Sequence, residues 1–84
     1  MPDHPHAAIA TRLKRANGHL ETIIDMIEEG RTCAEIAQQL SAVEGAIENA
    51  KKALIRDHLG HGLKEAGVKG RALLRDFALI AKYL

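Results

Sequence analysis

Two apolar stripes constrain this chain more than any other feature. Ile9, Leu13, Ala16, Leu20, Ile23 and Ile27 recur at spacings of 4, 3, 4, 3 and 4. Cys33, Ile36, Leu40, Val43, Ile47, Ala50 and Leu54 recur at 3, 4, 3, 4, 3 and 4. Alternating steps of three and four put one face of a helix against a neighbour along its whole length. Gly30 lies between the stripes and predicts the end of the first helix. Thr32 can cap the second, with Glu35 three residues on completing a capping box. Ala34, Ala37, Ala42, Ala46 and Ala53 fill the second helix with the strongest helix former. Pro2 and Pro5 confine irregular structure to the first few residues. Four glycines (Gly60, Gly62, Gly67, Gly70) read as a frayed end and a turn. A shorter stripe follows at Leu73, Leu74, Phe77, Ile80, Ala81 and Leu84, and no segment alternates as a strand would. The expectation is an all-α chain with helices over 6–29, 33–61 and 71–84. It forms one domain over 1–84, with a flexible segment at 1–6.

Length turns those helices into a statement about assembly. A chain of 84 residues buries only about two-thirds of its unfolded surface, so a solitary core is marginal. The lone cysteine excludes an internal disulfide framework. An apolar fraction of 46% with a net charge of +1 excludes a disordered chain. No apolar run approaches ~18 residues, and the N-terminus has no signal pattern, so no membrane partner and a cytoplasmic address are expected. The first two helices are each about 35–45 Å long at 1.5 Å per residue. Such a pair makes an antiparallel hairpin with one apolar face left over, which the short third helix is too small to cover. Two hairpins packed as a dimeric four-helix bundle solve this, and the apolar third helix suggests a dimer of dimers.

Polar groups lie along the second stripe. Cys33 opens it; His58 follows four residues after Leu54, and His61 three residues later. On one helix, 25 residues separate Cys33 from His58, about 37 Å. They meet only if two copies pack antiparallel, residue i facing residue 91 − i. Ile36 then faces Ile55 of the partner subunit, Leu40 faces Lys51, Val43 faces Glu48 and Gly45 faces Ala46. A thiolate with imidazole suits Zn, Cu, Ni or Co. The plainer reading keeps Cys33 as a small hydrophobe and His58 as a surface residue. His4 and His6 add imidazoles near the N-terminus, where a free amine and a third-position histidine could hold Ni(II) or Cu(II) in a square plane.

Charge is uneven. Arg12, Lys14 and Arg15 sit in a stretch without acids between Asp3 and Glu21, and Arg12, Arg15 and His19 project from one helical face. Lys51, Lys52 and Arg56 form a second basic group. Repeated by symmetry, such patches bind phosphates in a salt-dependent way; alone, they are solvated helix faces. There is no helix-turn-helix, zinc-finger spacing, GxSxG, HExxH or P-loop, so an enzyme is not expected.

The run Arg12-Leu-Lys-Arg-Ala-Asn-Gly-His19, then Cys33, Gln39-Leu-Ser-Ala-Val43 and Asp57-His58-Leu59, resembles the CsoR/RcnR/FrmR family over about residues 9–62. The resemblance implies helical repressors that assemble as dimers into homotetramers, bind operator DNA when free, and release it when an effector occupies a Cys/His site. Cys33 matches the thiolate ligand, His58 the histidine from the partner subunit, and Arg12 and Arg15 first-helix DNA positions. Gly62 stands where copper-sensing members place Cys and nickel or cobalt members His. Glu44 stands where Arg is frequent; Lys51 and Lys52 would compensate. With one thiolate per site and several imidazoles, Ni(II) or Co(II) ranks first as effector, held by Cys33, His58, His61, His4 and His6. Formaldehyde, cross-linking the Pro2 amine to Cys33, is the rival; Cu(I) and Zn(II) rank below. A metal-binding helical bundle with no DNA role is the remaining alternative.

Overall fold

The computed structural model describes residues 6–65 and 70–84, with side chains over 6–60 and 74–84. Its helices are α1 (Ala7–Glu28), α2 (Cys33–Glu65) and α3 (Gly70–Ala81). Among the described residues there is no strand, and no helix is long and apolar enough to cross a membrane. The chain divides into two compact units, Met1–Lys51 and Lys52–Leu84.

In the first unit, α1 and the start of α2 run antiparallel. The turn between them is built by its residues. Gly30 takes a φ of +77°, the left-handed conformation that a side chain disfavours. Its N–H donates to the Ile27 carbonyl (3.1 Å), and that of Arg31 donates to Met26 (3.0 Å). That pair of bonds is the Schellman ending. Thr32 then starts α2. Its Oγ1 accepts from the Glu35 N–H at 3.1 Å and donates to the Glu35 carboxylate at 3.1 Å. The box differs from the standard form, because the carboxylate takes the hydroxyl proton in place of the Thr32 backbone N–H. Arg31 pairs with the other Glu35 oxygen.

Burial splits each stripe in two. On α1, Ile9, Ala16 and Ile23 are 5%, 8% and 1% exposed, while Leu13, Leu20 and Ile27 are 44%, 39% and 55% exposed. On α2, Ile36 is half-buried and Val43 and Ala50 are buried, while Leu40, Ile47 and Leu54 are exposed. Every second member of a 3–4 stripe thus closes the hairpin, and the members between form a separate outer seam. Burying Ile9, Ile23 and Val43 contributes about 1.5–3 kcal/mol each. The split corrects part of the expected dimer register. Val43 and Ile55 are already covered within the protomer, so the pairs Val43–Glu48 and Ile36–Ile55 cannot form the outer seam. The pairs Leu40–Lys51 and Gly45–Ala46 lie on side chains that are not buried.

Two element boundaries also differ. Helix α2 continues through Gly60 and Gly62 to Glu65. Glycine costs a helix only about 1 kcal/mol, and good helix formers (Leu59, Leu63, Lys64) flank both positions. His6 is the half-buried N-cap residue of α1 and no loose tail residue; its carbonyl accepts from the Ala10 N–H at 3.0 Å. In the second unit, α3 ends at Ala81, three residues before the expected Leu84, in a turn where the Tyr83 N–H donates to the Ile80 carbonyl at 2.8 Å.

Candidate effector site and nucleic-acid face

Cys33 is the first residue of α2, with a free, exposed thiol. The turn that presents it is fixed on both sides, by Gly30 before and by the Thr32–Glu35–Arg31 contacts around it. A side chain on a helix start so held loses little freedom when it takes a ligand.

His58 lies near the other end of α2, half-buried. Its Nε2 hydrogen-bonds the Asp76 carboxylate of α3. A carboxylate accepts, so the neutral ring carries its proton on Nε2 and leaves the Nδ1 lone pair for a metal. That is the common second contact of metal-binding histidines, and it fits His58 as a ligand. Asp76 was not singled out from the sequence. The available signal is an acid spaced three after Leu73 and four before Ile80, on an otherwise apolar stripe.

The remaining expected ligands are not brought together here. Pro2 and His4 lie outside the described residues, as does the side chain of His61. Among the described residues, no three His, Cys, Asp or Glu side chains form a group that could hold a metal.

The basic residues divide. Arg12, Lys14 and Arg15 are exposed on α1, and among the described residues none of them is ion-paired. Lys52 is also exposed. Lys51 is half-buried and paired with Glu48 at 3.1 Å, so it is not the open compensation for Glu44 that the sequence suggested. His19, expected on the face of Arg12 and Arg15, is half-buried and turned toward α2, where Nε2 meets Gln39 Oε1 at 2.6 Å.

Residues 5–82 match the family described as metal-sensitive transcriptional repressors. The chain belongs to that family. Membership confirms the resemblance carried by Arg12–His19, Cys33, Gln39–Val43 and Asp57–Leu59, and the family is one of repressors, not of enzymes. Among curated relatives, the copper-sensing transcriptional repressor CsoR of Mycobacterium ulcerans (strain Agy99) is 38% identical over 71 residues, covering 84% of this chain and 60% of the relative. The copper-sensing repressor CsoR of Bacillus subtilis (strain 168) is 40% identical over 58 residues, 69% of this chain and 57% of the relative. The copper-sensing repressor RicR of Mycobacterium tuberculosis (strain ATCC 25618 / H37Rv) is 36% identical over 61 residues, 73% of this chain and 64% of its own length. The chain thus spans about 60% of the length of the first of these repressors. No solved structure matches it.

Proposed function

We propose that this chain is a cytoplasmic DNA-binding repressor whose release from its operator is governed by a metal ion held between subunits. The family match over residues 5–82 supports it most directly. The ligands would be Cys33 of one subunit and His58 of the partner subunit, two per dimer. The ion would supply a bond between the α2 helices of two copies, and the protein residues supply the rest. Asp76 orients the imidazole, and the Thr32–Glu35 cap orients the thiolate. Exposed Arg12, Lys14, Arg15 and Lys52 would face phosphates.

Assembly follows from the outer seam. Leu13, Leu20, Leu40, Ile47 and Leu54 are too numerous to leave in water, and an open groove of about 190 Å³ lies among Leu13, Ala16, Leu20, Val43 and Ile47. A second hairpin covering this face would make the dimer, and the apolar side chains of α3 (Leu74, Phe77, Leu79) would join dimers into the tetramer.

Copper(I) takes first place as effector. The curated relatives are named copper-sensing, and a thiolate with an imidazole is a soft set that accepts Cu(I). Nickel or cobalt, ranked first on the nitrogen donors His4, His6 and His61, comes second, because Gly62 removes the third ligand of the nickel or cobalt pattern as well as that of the copper pattern. Formaldehyde through Pro2 and Cys33 draws no support from these relatives. A mobility-shift assay on the DNA upstream of the chain's own gene separates the readings. The metal-free protein should retard that DNA, and one equivalent of Cu(I) should release it. Release by Ni(II), Co(II) or formaldehyde but not by Cu(I) would reverse the ranking. No retardation under any condition would leave a metal-binding bundle without a DNA role.

A further inference from the structure

We propose that the hydrogen bond between His19 and Gln39 transmits effector state from α2 to α1, which makes both of them positioning residues for DNA release. The proposal rests on the repressor reading above. In the first unit this side-chain hydrogen bond joins the two helices. It is short, at 2.6 Å, and part-buried. The rest of the seam is apolar: Ile9, Ala16, Ile23, Val43 and Ala50. Apolar contact is non-directional and tolerates a small slide of one helix along another. A hydrogen bond weakens steeply once its angle is lost, and more is at stake in a partly dry seam. The register of α1 on α2 is therefore set most sharply at this pair.

Its position in the chain gives that register a consequence. Gln39 lies six residues after Cys33, about 9 Å along the helix. His19 lies four residues after Arg15 and seven after Arg12 on α1, one and two helical turns away. A displacement of the start of α2 on metal capture reaches α1 as a directional contact through Gln39 and His19. Coupling between two sites is a difference in affinity, typically about 5–150-fold, and a directional contact across an otherwise apolar seam is suited to carry it.

The test compares the wild type with His19→Leu, Gln39→Leu and His19→Gln, in which the amide keeps an N–H for the Gln39 oxygen. Affinity for the DNA upstream of its own gene is measured with and without Cu(I), and Cu(I) affinity is measured separately. Both leucine variants should hold Cu(I) and metal-free DNA within about threefold of wild type. Their Cu(I)-induced loss of DNA affinity should shrink to under about one-fifth of the wild-type factor, and His19→Gln should restore it. A full Cu(I) response in the leucine variants overturns the proposal. So does a parallel loss of helicity, DNA affinity and Cu(I) affinity, which marks a purely structural pair. If the wild type itself fails to bind the DNA or to respond to Cu(I), the repressor reading falls first and takes this coupling with it.

Discussion

At the scale of single residues, Asp76 has the clearest chemical consequence. Its carboxylate fixes the His58 tautomer and ring orientation, and loss of such a partner typically weakens metal binding about 10–100-fold. Asp76→Asn should lower Cu(I) affinity by that factor in a competition titration while leaving the helix content of the protein unchanged. An unchanged affinity would mean that the His58–Asp76 contact serves the fold alone. Glu48 offers a second residue-scale test. It neutralises Lys51 at 3.1 Å, so Glu48→Gln should tighten DNA binding a few-fold and steepen the log–log salt slope by about one. A flat response would show that Lys51 does not face DNA. Neither contact could be read from the stripes. Glu48 and Lys51 are three apart on one helix, a spacing that many exposed pairs share. Asp76 reaches a partner 18 residues away on another helix, and no local period records that.

At the scale of elements, the α1–α2 turn was legible almost atom by atom. Gly30 marked the left-handed ending, and Thr32 with Glu35 marked the cap, because each rests on a local steric or hydrogen-bond rule. Gly30→Ala should destabilise the protein by about 1–2 kcal/mol, and Thr32→Ala by about 1 kcal/mol, both read by denaturant unfolding. What the turn positions is Cys33, so Thr32→Ala should also broaden the spectrum of a metal bound at the thiolate. The far end of α2 was less legible. Gly60 and Gly62 carry a breaker signal, yet helix continues to Glu65, since two modest penalties do not outweigh the good helix formers around them. The stripes, for their part, identified which residues are apolar at helical spacing. They could not assign each to the inner or outer seam, because Ile9, Ala16 and Ile23 repeat with the same period of seven as Leu13, Leu20 and Ile27.

At the scale of the whole molecule, that division of the stripes implies a second hairpin. The exposed half of each stripe is a seam of leucine and isoleucine that a monomer would have to hold in water. Gly45 tests it from inside. A Cβ added there meets nothing within 4 Å of the protomer, so the protomer itself does not require glycine. The proposed antiparallel register would put Gly45 beside Ala46 of the partner subunit, at the two-fold axis. Gly45→Leu should therefore leave the helical content unchanged but convert dimers or tetramers to smaller species in sedimentation. An unchanged sedimentation profile would place the two-fold axis elsewhere. The central claim is that each metal site takes its thiolate from one subunit and its imidazole from the other. The most direct measurement mixes Cys33→Ala with His58→Ala and isolates dimers holding one copy of each. Neither variant alone should bind Cu(I) tightly. In the mixed dimer, the intact cysteine of one copy faces the intact histidine of the other, and one Cu(I) per dimer should bind with wild-type affinity. A mixed dimer that binds none would contradict the shared site.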